Sequence, residues 1–121
     1  MILEYDLVKE LKNLSEKDIR SNFFYDPIEY KVGEVTDIDN ESILLLIAKL
    51  AIDEITVEDS YGGEDMGVEF YTVLSFKKRD EIVYIKFNGY YYSYDGATYE
   101  EFKVVTPQQV VVIEYNDKYK Y

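Results

Sequence analysis

The sequence contains no cysteine and no histidine. Without cysteine the chain forms no disulfide and offers no thiolate to zinc. Without histidine it lacks the commonest general base, the base of serine triads and the commonest transition-metal ligand. Long apolar runs are missing as well. The longest, Ile43 to Ile52, is interrupted by Lys49, and a membrane helix needs about 20 such residues. Basic residues are scarce, 13 lysines and arginines against 25 aspartates and glutamates, for a net charge of −12. That balance argues against direct binding to nucleic acid or to an anionic membrane. Met1 to Glu10 carries Glu4 and Asp6 where an export signal would have a basic start and a long apolar run, so the expected location is the cytoplasm.

What the chain has instead is tyrosine, 14 of its 121 residues. This much aromatic surface argues against disorder despite the charge. A chain of this length buries roughly two-thirds of its unfolded surface, enough for a core without staples. We expect one α+β domain over residues 1–121, mainly helical over 1–54 and an antiparallel sheet over 55–116, with the N-terminal helices packed on one face of a C-terminal β-meander.

Leu3, Leu7, Leu11 and Leu14 recur at helical spacing and predict an amphipathic helix. Ser15-Glu16-Lys17-Asp18 has the form of a capping box, which predicts a short second helix to about Asn22. Asp26-Pro27 breaks any helix there, and Ile28 to Val35 alternates as a strand would. Ile43 to Ile52 is apolar nearly all round. The capping residues of Asp37 to Ser42 before it favour helix over strand.

From Ile55 on, the composition turns to β. Ile55 to Glu58, Val68 to Phe76, Glu81 to Phe87, Tyr90 to Tyr92, Phe102 to Val105 and Val110 to Tyr115 read as strands. Asp59 to Gly67 reads as a loop and Lys77 to Asp80 as a connection. Asn88-Gly89 predicts a type I′ hairpin turn, and Asp95-Gly96 a further turn.

The acidic stretch from Asp53 to Glu69 holds seven carboxylates and no lysine or arginine. Its spacing matches no calcium loop, and a solvated acidic rim is the simpler reading. Gly62, Gly63 and Gly67 lack the following helix and lysine of a phosphate cradle. Paired carboxylates for glycoside chemistry are available in any sequence this acidic. No catalytic residue, metal or cofactor is therefore expected.

Tyr90, Tyr91, Tyr92, Tyr94 and Tyr99 fall within ten positions, so strands carrying them must present tyrosine on both faces. One face packs on the helices. The other sets rings toward water beside Tyr84 or Tyr71, as a protein interface does. Cross-strand pairing that only stabilises the sheet is the plainer alternative. Carboxylates beside tyrosine also permit mimicry of a nucleic acid.

Asp59-Ser60-Tyr61-Gly62-Gly63-Glu64, then Phe87-Asn88-Gly89-Tyr90-Tyr91-Tyr92-Ser93-Tyr94-Asp95-Gly96, Val104-Val105-Thr106-Pro107 and Val110 to Tyr115 follow one another in that order. In this order the second half resembles a family of small phage-encoded accessory proteins of uncharacterised function. It departs from their pattern at Tyr92 and at Asp65-Met66-Gly67. The resemblance implies a protein that binds and blocks a host enzyme or a defence complex, CRISPR effectors among them.

Together these readings predict a non-catalytic protein that docks on a host protein with a basic surface. The expected binding residues are Tyr61, Glu64, Asp65, Tyr90, Tyr92 and Tyr94. A small-ligand module for a nucleotide or sugar, a nucleic-acid mimic and a homodimer closing the tyrosine face are the alternatives.

Overall fold

The structure, a computed structural model, describes residues 2–25, 30–62, 69–92, 96–108, 113–119 and 121. Helix α1 (Leu3–Asn13) buries Leu3, Leu7 and Leu11, the stripe that the leucine spacing predicts. Helix α2 (Glu16–Ile19) begins at Ser15, whose hydroxyl accepts a hydrogen bond from the Asp18 amide at 3.1 Å. The chain then widens into a π-helical turn over Arg20–Tyr25 rather than ending at Asn22. Helix α3 (Glu41–Leu50) starts at Asn40, whose side chain accepts from the Ile43 amide at 3.2 Å, and buries Ile43, Leu46 and Leu50.

Four strands follow: β1 (Glu54–Tyr61), β2 (Glu69–Lys78), β3 (Glu81–Tyr92) and β4 (Gly96–Val105). They pair antiparallel in the order β1-β2-β3-β4. The protein is thus α+β, with helices preceding an antiparallel meander. Ile55, Val57, Phe70, Leu74, Phe76, Val83, Ile85 and Phe87 form the buried inner face of the sheet, clustered with the leucines of the helices. The π-helical turn drives two rings into this layer. Phe23 stacks on Phe87 at 5.3 Å and meets Phe76 edge-on, and Phe24 meets Phe70 edge-on at 4.8 Å. The Thr72 hydroxyl, fully buried, donates to the Phe24 carbonyl at 3.0 Å and supplies a partner for backbone in the turn.

Several expectations need correction. Asn88-Gly89 is not a turn but lies inside β3, which joins the two predicted strands on either side. Neither residue has the positive φ that a type I′ turn requires. Gly89 serves a close approach instead: a Cβ there would stand 1.9 Å from the Thr98 carbonyl oxygen. Strand β1 continues through Asp59 to Tyr61, so the start of the predicted acidic loop is sheet. The β2–β3 connection shrinks to Arg79 and Asp80, with Arg79 at φ 52 and its amide held by the Asp53 carboxylate at 2.7 Å.

Residues 30–36 form no strand. A turn closes from the Lys31 carbonyl to the Glu34 amide, and Val35 makes one isolated bridge to Thr56. The expected final strand falls partly on residues 110–112, outside those described. Residues 113–119 have no regular structure, and Ile113 and Tyr115 are exposed. β-propensity reports fit to a paired surface, so it makes no strand where nothing pairs. The predicted Asp95-Gly96 turn falls on residues 93–95, also outside the described residues, and Gly96 opens β4. Among the described residues, no helix is long and apolar enough to cross a membrane.

Candidate functional site

Side chains alternate across a strand, so the register assigns each residue a face. On β2 and β3 the outer face, turned away from the helices, carries the cross-strand pairs Glu69 with Tyr90, Tyr71 with Asn88, Val73 with Lys86, and Ser75 with Tyr84. Two irregularities decide which tyrosines join them. A bulge at Glu58 shifts the β1 register, so that Asp59 pairs with Val73 and Tyr61 with Tyr71. Without that extra residue, Asp59 and Tyr61 would fall on the inner face. A second shift pairs Asn88 with Glu101 but Gly89 with Tyr99. It turns Tyr99 inward, onto Phe24 at 5.5 Å and Phe87 at 6.4 Å. Tyr91 is also inward, stacked on Phe70 at 6.5 Å.

The outer face therefore gathers Tyr61, Tyr71, Tyr84 and Tyr90. The Tyr61 and Tyr71 rings stack at 5.7 Å, 14° from parallel. The Tyr71 hydroxyl donates to Asp59 Oδ2 at 3.2 Å. Loss of water around the ring comes first in raising the Tyr71 pKa, and the Asp59 charge and hydrogen bond add to it. The phenol thus stays neutral throughout the physiological range. Lys86 Nζ lies over the Tyr71 ring, 4.3 Å from its centroid, a cation on the negative face of the π-system.

Between Tyr71 and Tyr84 runs an open groove of about 420 Å³. Val73 and Lys86 lie between the two rings. Glu58 and Asp59 line it from β1, and Val105, Thr106, Pro107 and Gln108 from the end of β4. The Ser75 hydroxyl donates to Glu58 Oε1 at 2.8 Å and fixes that carboxylate at the bulge. Such a groove can stack a flat group on tyrosine and pair a cation with carboxylate.

Of the six expected binding residues, Tyr61 and Tyr90 stand on this face. Tyr92 belongs to β3 by its backbone, which pairs with Gly96, and Glu64, Asp65 and Tyr94 lie outside the described residues. Asp59, Tyr71, Tyr84 and Lys86 complete the site. Tyr71 and Tyr84 enter the sequence reading only as neighbours, and Lys86 not at all. Its signal was its alternation between Ile85 and Phe87, which marks an outward position but no role. Gly62 has a structural task. At φ 108 it lets the chain pass the Glu69 carbonyl oxygen, which a Cβ would approach to 2.2 Å. No three acidic side chains converge on a common point among the described residues.

No family model matches this chain, and neither a curated protein nor a solved structure matches it.

Proposed function

We propose that this chain is a non-catalytic binding protein that docks a partner protein through the outer face of its sheet. One observation carries the reading: Tyr61, Tyr71, Tyr84 and Tyr90 share the face turned away from the helices, where Tyr71 and Tyr84 line an open groove edged by Glu58 and Asp59. Tyrosine offers large, rigid, amphipathic contact area and is enriched at interface hot spots. The net charge of −12 favours a partner with a basic surface and speeds its approach. The resemblance of the second half to phage accessory proteins extends the reading to inhibition of a host protein or defence complex in the host cytoplasm. The groove's volume lies in the range of small-ligand sites, which supports a nucleotide or sugar module as the second reading. Mimicry of a nucleic acid draws less support, because Lys86 and Lys103 pair across the middle of this face.

The test is capture from a lysate of the candidate host at low and high salt, with wild type and the double variant Tyr61→Ala/Tyr84→Ala. If both tyrosines are hot spots, each worth about 2 kcal/mol or more, the variant loses the captured protein, and high salt weakens capture by the wild type. Equal capture by the double variant would remove this face as the interface.

A further inference from the structure

The outer face already holds one cation on a ring. Lys86 reaches from β3 to the Tyr71 ring on the neighbouring strand, while the Tyr71 hydroxyl is engaged by Asp59. We propose that the groove between Tyr71 and Tyr84 receives an arginine side chain from an extended segment of the partner, and that Lys86 is the resident cation it displaces. This inference rests on the docking reading and names the chemistry that the face recognises.

Two observations support arginine. The groove presents two phenol rings whose faces attract cations. Its β1 side carries two carboxylates: Glu58, with Oε1 accepting from the Ser75 hydroxyl, and Asp59, whose two oxygens accept from the Ser60 amide and the Tyr71 hydroxyl. A carboxylate has about four lone-pair sites, so both keep acceptor capacity, Glu58 the more, and a guanidinium can meet a carboxylate with two parallel N–H groups while its plane lies on an aromatic face. Lysine is the poorer fit, being a compact, strongly hydrated point charge. That same property makes Lys86 a replaceable occupant, since its flexible stem can return the ammonium to water. Lys86 then acts as a selectivity element. It holds the Tyr71 face against weaker ligands, and its removal opens the seat.

The probe is the blocked tripeptide acetyl-Gly-Arg-Gly-amide, titrated into the ¹⁵N-labelled full chain, with the citrulline tripeptide as a neutral isostere. Saturating amide shifts are expected at Tyr71, Val73, Tyr84 and Lys86 with arginine. Citrulline should bind about three- to fivefold more weakly, the scale of one exposed cation–π contact. Tyr84→Ala should weaken the arginine peptide by a similar factor. Lys86→Met should tighten it by about threefold, and Lys86→Gln should do the same. Lys77→Met removes the same charge from the same face outside the groove and should change affinity little.

Equal binding of citrulline, or equal tightening by Lys86→Met and Lys77→Met, would overturn the inference, since only net charge would then be at work. So would shifts spread over the acidic surface without saturation at these amides. Failure of the docking reading looks different. In that case Tyr61→Ala/Tyr84→Ala captures the partner as well as wild type does. If the double variant loses the partner while the arginine peptide fails to compete for it, the arginine seat alone is wrong.

Discussion

Gly89 has no room for a side chain. Its missing Cβ would fall 1.9 Å from the Thr98 carbonyl oxygen and 3.0 Å from Phe24, and neither backbone nor a buried ring can yield that distance. Gly89→Ala should therefore cost about 2–3 kcal/mol through overpacking and strain, read as a lower urea midpoint with an unchanged slope. Tyr99, which faces Gly89 across the ladder, makes a different prediction. Burial first, then the Glu16 and Glu101 charges, push its pKa up to about 12, above the usual value of about 10. The folded state holds this proton more tightly than the unfolded chain does. The resulting stability is fully present below pH ~10 and is lost as pH rises from there toward about 12. Unfolding measured across that window should show this loss, and Tyr99→Phe should show a smaller one.

At the scale of elements, the legible parts were those governed by local pattern. The leucine stripe of α1 needs no tertiary information, because a period of 3.6 residues already selects one face. Helix α3 was legible through its cap more than its apolar run. Asn40→Ala should therefore lower stability by about 1 kcal/mol, measured by thermal or urea unfolding against wild type. The misread parts are those where two distant strands decide a residue's role. Asn88-Gly89 has the composition of a turn, yet β2 and β4 pair along it on both sides, and a glycine that avoids a neighbouring carbonyl looks in sequence like one that makes a turn. The bulges are equally silent. One residue inserted at Glu58 reverses the facing of Asp59 and Tyr61, and the register shift in β4 sends Tyr99 into the core. The first shift brings Asp59 and Tyr61 into the candidate site, and the second keeps Tyr99 out of it.

For the whole molecule, a charge of −12 on 121 residues sets two opposite salt effects. Self-repulsion weakens the folded state, so raising ionic strength from about 0.01 M to about 0.15 M should raise the melting temperature by a few degrees, roughly the effect of 1 kcal/mol or less in a chain this size. The same screening should weaken association with the proposed basic partner. Calorimetry and a binding measurement over one salt series separate the two. By itself the sequence determined the α+β order, the helical stripes, the excess of acid and the presence of tyrosine on both sheet faces, because these depend on composition and short-range periodicity. Only the tertiary structure decided which tyrosines face outward, that Lys86 lies on Tyr71, and that Asp59 meets the same ring. Those facts depend on strand register, which is fixed by pairing between residues far apart in the chain and changes face with a single inserted residue.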